Sequence, residues 1–349
     1  MPLPARMDAL VVRTSDDTPR LVKESVPISK PEDDQLLVKV SHVAQNPTDV
    51  QSFDGNAFGD GAVLGCDFVG VVEEMGPSVT GITKETVVAG LIWGGEIKGL
   101  GGYSEYTLAD SRICFPVPPG LSLAEAATVP LASTTALLGL FSEGCLAINT
   151  SAAENTPVLI WGGSSSVGLY AIQLARLHGL EVITTCSPKH HDLVKSYGAT
   201  SAFDYRDPEV VNKIRNAAPH LRYVFDTIGN KASSGTAAKA IGHLNGVLCT
   251  VRPGKANTED VPREIKVTDV LVWTAFLKEH RYGTFYWPPN EADHKLAAGW
   301  FQKLPELLSS GAIKPNTAKV CEKGLDGVSE GFQEYRDGTI SNYKIVYRL

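Results

Sequence analysis

Val158-Leu159-Ile160-Trp161-Gly162-Gly163-Ser164-Ser165-Ser166-Val167-Gly168 is the stretch that decides the fold. Four apolar residues suit a short buried strand, and Gly162-Gly163 break it. From Val167 the apolar spacing becomes helical: Val167, Tyr170, Ala171, Leu174 and Leu177 are placed on one face. His178-Gly179 reads as the helix C-terminus. A strand, a glycine turn and a helix N-terminus together make an anion site, because free N–H groups and the helix dipole both point at whatever sits there. Serine stands where the second glycine of G-x-G-x-x-G is expected, so the loop is a modest signal that its context must carry.

That context is a βαβ unit. Glu181-Val182-Ile183-Thr184-Thr185-Cys186 is a second strand. Residues 202–205, 223–229 and 246–251 read as further strands, with helices over 209–218 and 233–244 between them. Such alternation predicts an α/β fold with a doubly wound parallel sheet. Ligands of such sheets lie beyond the carboxyl ends of the strands. One crevice would therefore gather Ser164, Ser165, Ser166 and Val167 with Ser187, Pro188, Lys189 and His190, Tyr205, and the residues after Val251. The second strand ends without the Asp or Glu that would take a ribose 2′-hydroxyl. Ser187 and Lys189 instead suit a 2′-phosphate, a charge-assisted contact contributing about 1.5–3 kcal/mol. The loop thus points to NADPH over NADH, the alternative being a solvated basic turn. Tyr205 is either a platform for adenine or an aromatic at the edge of the core.

The 349 residues suffice for two domains of ordinary size. With 43% hydrophobic and 20% charged residues the profile is globular, and a net charge of −7 gives no global basic field for nucleic acid or acidic membrane. Six cysteines (66, 114, 145, 186, 249 and 321) are scattered without a C-x-x-C pair, which suits free thiols in a reducing, cytoplasmic setting. Met1-Pro2-Leu3-Pro4-Ala5-Arg6 lacks an apolar core, so no signal peptide is expected, and no run is long enough to span a membrane.

The N-terminal third reads as β-rich. Ala9-Leu10-Val11-Val12, Leu21-Val22-Lys23-Glu24 and Gln35-Leu36-Leu37-Val38-Lys39-Val40 are strands, with a turn over Asp16-Asp17-Thr18-Pro19-Arg20. Asn46-Pro47 enforces an extended or turn geometry, and a helix capped by Thr48 or Asp49 is expected after it. Residues 62–75, 86–91 and 102–108 are further strands. Pro116-Val117-Pro118-Pro119-Gly120 is a stiff connector, and Ser122-Leu123-Ala124-Glu125 a capping box opening a helical stretch over 126–141 broken at Pro130. Residues 267–279 fit a strand or a helix equally well.

Several motifs in order carry a family resemblance: Asn46-Pro47-Thr48-Asp49, Leu64-Gly65-Cys66-Asp67-Phe68-Val69-Gly70, Gly102-Tyr103-Ser104-Glu105-Tyr106, Pro130-Leu131-Ala132-Ser133-Thr134-Thr135-Ala136, the glycine–serine loop, and the terminal Lys344-Ile345-Val346-Tyr347-Arg348-Leu349. The chain resembles the zinc-independent medium-chain dehydrogenase/reductase superfamily, and within it the fungal trans-acting enoyl reductases that serve polyketide synthases and their hybrids with peptide synthetases. The resemblance implies a GroES-like catalytic domain over 1–128, rejoined by 285–349, and a Rossmann NADPH-binding domain over 129–284. It implies cofactor contacts from Asn46, Pro47, Thr48 and Asp49, the loop Ser164–Val167, the turn Ser187–His190, Tyr205, Arg252, Pro253, Ser341 and Asn342. It also implies a substrate channel lined by Leu131, Ala132, Ser133, Thr134, Thr135, Ala136, Leu137 and Leu138, and by Trp273, Thr274, Ala275, Phe276 and Leu277.

Zinc alcohol dehydrogenases of the superfamily carry Gly-His-Glu where this chain has Gly65-Cys66-Asp67, and a four-cysteine lobe absent here. Cys66 and Asp67 alone cannot complete a three-ligand tetrahedral site, so no metal is expected. The implied reaction is NADPH-dependent hydride transfer to the β-carbon of an α,β-unsaturated thioester, carried by a polyketide synthase. Oxyanion donors are sought among the Thr48, Ser133 and Thr134 hydroxyls. The family pattern continues after Asn-Pro-Thr-Asp with Trp-Lys; this chain has Val50-Gln51, so a lysine that could orient cofactor or substrate is replaced by neutral Gln51. Two alternatives are a stand-alone quinone or enone reductase on free small molecules, and a non-reducing, cofactor-binding partner or isomerase of a megasynthase. A monomer or a homodimer is compatible with the sequence.

Overall fold

The computed structural model describes residues 3–15, 18–152, 154–243, 245–282 and 285–349. The first strands run longer than their apolar cores suggest: β1 (Arg6–Ser15) pairs antiparallel with β2 (Thr18–Pro27). Thr18, Pro19 and Arg20, read as turn residues, belong to β2, while Asp16 and Asp17 lie outside the described residues. Then come β3 (Gln35–Ala44), α1 (Pro47–Asp54), β4 (Asp67–Met75), β5 (Val87–Leu91), β6 (Tyr106–Asp110) and β7 (Cys114–Pro116). Helix α1 is capped by Asn46, not by Thr48 or Asp49. Proline at the first helical position has no N–H to satisfy and its φ is already helical, which moves the start forward.

Strands β4 and β6 begin later than the apolar runs over 62–75 and 102–108. Gly65 and Gly102 explain the difference. Gly65 has φ +95°, and a Cβ there would lie 2.7 Å from the Tyr103 backbone nitrogen. The two segments meet backbone to backbone instead, Gly102 N–H donating to Gly65 O at 2.8 Å and Tyr103 N–H to Leu64 O at 2.9 Å.

After α2 (Leu123–Ala127), whose capping Ser122 Oγ accepts from Glu125 N–H, comes α3 (Pro130–Phe141). The alternation follows as β8 (Pro157–Trp161), α4 (Ser166–Leu177), β9 (Glu181–Cys186), α5 (His191–Tyr197), β10 (Ser201–Asp204), α6 (Val210–Ala217), β11 (Tyr223–Asp226), α7 (Ser233–Lys239), β12 (Val247–Thr250) and β13 (Lys266–Asp269). All six strands are parallel, in the order β10-β9-β8-β11-β12-β13. This is the doubly wound order, with its switch point between β8 and β11. Helix α7 stops at Lys239, short of the expected 244, and Leu244 lies outside the described residues. Leu177, assigned to the buried face of α4, is 45% exposed. Ten residues beyond Val167, at about 100° each, it has drifted about 80° off that face. The ambiguous 267–279 segment is both things in turn: β13, then a turn of 3-10 helix over Val272–Ala275.

The chain closes with β14 (His280–Tyr282), β15 (Phe285–Trp287), α8 (Glu291–Ser309), β16 (Ala318–Cys321), α9 (Val328–Arg336) and β17 (Lys344–Arg348). Strand β17 lies between β16 and β3, so the C-terminus completes the N-terminal sheet β16-β17-β3-β4-β5-β7, with β6 also on β3. One core runs unbroken from Val69, Leu91 and Phe115 of that sheet through Leu137 and Leu138 of α3 to Ile160 and Ile172 of the parallel-sheet layer. Each fully buried leucine contributes about 1.5–3 kcal/mol. Helix α3, buried on nearly every side, is thus the common wall of both sheets.

Candidate active site

A cleft of about 680 Å³ opens where α1 and β17 face the carboxyl ends of the parallel strands. Its polar end is the glycine–serine turn. Gly162 adopts φ +86°, and a Cβ on Gly168 would lie 2.8 Å from Gly163 Cα, so only glycine lets α4 approach the turn. Ser165 caps α4, its Oγ accepting from Gly168 N–H at 2.9 Å and sharing a hydrogen bond with Thr227 Oγ1 at 2.9 Å. Thr227, just beyond β11, donates to Trp161 O at the end of β8, closing the switch point. The first intrahelical bond of α4 is Leu169 N–H to Ser165 O, which leaves the N–H groups of Ser166 and Val167 ahead of the ladder. Ser165, Ser166 and Val167 border the cleft; Ser164 does not. A serine-lined helix N-terminus with its Cβ space closed by glycines fits the diphosphate of a dinucleotide.

The wall opposite is built on α1. Pro47, Thr48 and Gln51 border the cleft. Asn46 borders it too, but its side chain is committed inward, donating to Asp67 Oδ2 at 3.0 Å and accepting from Lys344 Nζ at 2.8 Å. Asp49, expected at the cofactor, is buried beneath the helix and is corrected to a positioning role. Its carboxylate accepts from Asn46 N–H at 2.7 Å, Cys66 Sγ–H at 3.3 Å and Tyr103 O–H at 3.4 Å. Reaching back to the N–H of the capping Asn46, at the positive end of the helix dipole, satisfies the carboxylate within its own first turn. Burial pushes the Asp49 carboxyl up to about 6, against the lowering effect of Asn46 and Cys66. Burial likewise pushes the Cys66 thiol and the Tyr103 phenol well up. Cys66 and Asp67, neighbours in sequence, thus bond to different partners, Asp49 and Lys344, in one buried network joined through Asn46, and among the described residues no group of three His, Cys, Asp or Glu could hold a metal.

Gln51 crosses the cleft. Its Nε2 donates to Tyr335 O–H at 2.8 Å, and its Oε1 accepts from Arg252 Nη1 at 2.9 Å, while Arg252 Nε donates to Gly229 O at 3.1 Å. Arg252 and Pro253 border the cleft as expected. At the end of β9, Lys189 Nζ and His190 Nε2 both lie 3.2 Å from Ser341 Oγ, so the basic turn and the 341–342 loop converge. Ser187 and Pro188 open this turn, and Asn342 holds φ +61° beside it. Asp204, across from Cys186 in the sheet, is neutralised by Arg206 at 3.0 Å. Tyr205 is 46% exposed, so it is not a core-edge aromatic.

The substrate-channel expectation needs more correction. Along α3 only Leu131 and Thr135 border the cleft, one turn apart; Ala132, Ala136, Leu137 and Leu138 pack into the core. Ser133 and Thr134 are fully buried, and neither faces the cleft as an oxyanion donor. Thr134 Oγ1 donates to Pro130 O at 2.7 Å, and Ser133 Oγ accepts from Trp300 Nε1 at 3.0 Å. Ser and Thr hydroxyls inside a helix fold back onto the carbonyl three or four residues earlier, as Thr135 also does on Leu131 O at 2.8 Å. Trp273 borders the cleft; Thr274 is tied to Asp293 at 2.6 Å, Ala275 is buried, and Phe276 and Leu277 border a different cavity. Among the bordering residues that escaped the sequence reading are Trp93, Thr227, Tyr335 and Lys344. Trp93 carried a signal, an aromatic set between a strand and Gly94-Gly95; Lys344 carried another, a cation opening an apolar strand.

Fold and cleft define a nicotinamide-dependent oxidoreductase of the alcohol dehydrogenase class. Residues 32–119 match the alcohol dehydrogenase GroES-like domain, and residues 166–282 the zinc-binding dehydrogenase domain. The chain is 35% identical over 326 residues to a trans-enoyl reductase of Fusarium heterosporum, covering 90% of this chain and 92% of that one. It is 36% identical over 329 residues to a trans-enoyl reductase of Gibberella fujikuroi, covering 90% and 91%. An alcohol dehydrogenase superfamily protein of Novosphingobium aromaticivorans shares the fold with a TM-score of 0.77 at 22% identity, over 98% of this chain and 99% of that one. The chain belongs to the trans-enoyl reductase family.

Proposed function

We propose that the protein reduces the α,β-double bond of an acyl thioester borne by a polyketide synthase, using NADPH. The observation that carries this reading is the cleft itself, with a helix N-terminus at one end, Thr48 along its side and an aromatic wall beyond. The bound dinucleotide supplies a hydride. Ser165, Ser166 and Val167 would hold its diphosphate, and Lys189, His190 and Ser341 its 2′-phosphate. Pro47 and Arg252 border the space between.

The chain's own work is positioning and electrostatics. As the β-carbon gains hydride, an electron pair moves to the thioester oxygen, and the α-carbon then takes a proton. Thr48, the one expected oxyanion hydroxyl that borders the cleft, donates to that oxygen. Leu131, Trp93 and Trp273 exclude water from the reacting carbons. Work on a carrier-bound chain in the cytoplasm suits the absence, among the described residues, of any helix long and apolar enough to cross a membrane. The test is NADPH consumption with crotonyl-pantetheine against a free quinone. Faster turnover of the thioester supports the reading; turnover of the quinone alone overturns it.

A further inference from the structure

We propose that the stacked pair Trp93–Trp273 is a wall between the cleft and a second cavity, and that it limits the length of acyl chain accepted. This rests on the enoyl-thioester reading above. The two indoles lie parallel, 4.9 Å apart with 6° between planes, and both are buried. Trp93 borders the cleft and also a second cavity of about 310 Å³. That cavity continues over Ile92, Leu100 and Phe276 and ends at a mouth carrying Glu32, Asp33 and Asp34. An acyl tail leaving the reacting carbons along the apolar side of the cleft meets the indole of Trp93, with the second cavity, part apolar and part polar, behind it.

The wall is braced. Phe58 meets Trp93 edge-on at 5.8 Å, and His280 packs against it at 5.0 Å. His280 Nδ1 is held by Glu96 at 3.1 Å, and Glu96 also pairs with Lys278. A ring fixed from three sides stops a chain; a mobile one would let it slide past. Beyond the wall, Thr107 Oγ1 borders the second cavity, buried and without a hydrogen-bond partner among the described residues. An oxygenated tail reaching that cavity would satisfy it.

The experiment compares crotonyl-, octenoyl- and dodecenoyl-pantetheine, by kcat/KM for NADPH-dependent reduction and by calorimetric binding of the saturated analogues. Wild type should favour the short chain. Trp93→Ala should raise the dodecenoyl-to-crotonyl ratio at least tenfold, since each newly buried methylene strengthens binding about fourfold. Trp93→Phe, which keeps a ring, should hold the wild-type profile. Leu100→Trp added to Trp93→Ala refills the second cavity and should restore the short-chain preference. If the alanine variant does not fold, Trp93→Leu serves for the same ratio. An unshifted profile with reduction intact overturns the wall alone. Failure of wild type both to reduce and to bind any thioester overturns the parent reading and the wall together.

Discussion

The Lys344 ammonium of β17 lies 2.6 Å from the Asp67 carboxylate of β4, and neither side chain is more than 3% exposed. Asp67 also accepts from Leu131 N–H at 2.6 Å, and Lys344 donates to Asn46 at 2.8 Å. One buried pair therefore joins the chain's last strand, the N-terminal sheet, the entrance to α1 and the start of α3. Removing one partner strands the other charge. Lys344→Met should cost about 3–5 kcal/mol. Adding Asp67→Asn to it should recover part of that loss. Guanidinium unfolding of the single and double variants checks both; additive losses would deny the coupling.

Asp49 gives a pH dependence of unusual sign. Its folded-state pKa, near 6, lies above the unfolded value of about 3.9. The native state therefore holds the extra proton between those values. The stability this contributes is present below pH 4 and lost as pH rises to 6, about 3 kcal/mol in all. Glu24, Asp60 and Asp204, held low by arginines and hydrogen bonds, slope the other way. The clean measurement is the difference between wild type and Asp49→Asn, which should fall across pH 4–6. A flat difference would mean that Asp49 stays ionised in the native state.

Lys189 meets Ser341 on the surface and anchors no core. Lys189→Ala should leave thermal stability unchanged and weaken NADPH about ten- to a hundred-fold, with NADH nearly unaffected. Titration of both cofactors by fluorescence decides it. Equal loss for the two would remove the 2′-phosphate from this turn.

Gln51 invites a restoration that should fail. Gln51→Lys returns the residue that the family pattern has here, yet Arg252 Nη1 already sits 2.9 Å from the Gln51 carbonyl oxygen. A lysine would repel the guanidinium and lose an acceptor, at a cost of about 1.5–3 kcal/mol. Arg252 would swing out of the cleft, and KM for the cofactor should rise. Paired melting and steady-state kinetics test this; a stable, more active variant would show that the two cations coexist.

Much of this was legible along the chain because it depends on local periodicity and backbone sterics. The strand–glycine–helix stretch at 158–168, the alternation after it and the cap at Ser122 follow from short-range patterns. The basic turn after β9 was visible as composition alone. Which α3 residues face the cleft was not, since apolar residues occur on every side of that helix and only its two neighbouring sheets choose Leu131 and Thr135. Ser133 and Thr134 misled because a hydroxyl's partner in a helix is decided by the turn before it.

The sequence by itself determined the parallel sheet and the glycine–serine turn that opens α4, through glycine's lack of a Cβ and the spacing of apolar side chains. Only the tertiary structure decided the rest: that Lys344 meets Asp67, that Gln51 recruits Arg252, and that Trp93 stacks on Trp273. Each joins residues well over a hundred positions apart. Such contacts are chosen by how two sheets pack across one helix, and no local pattern records that choice.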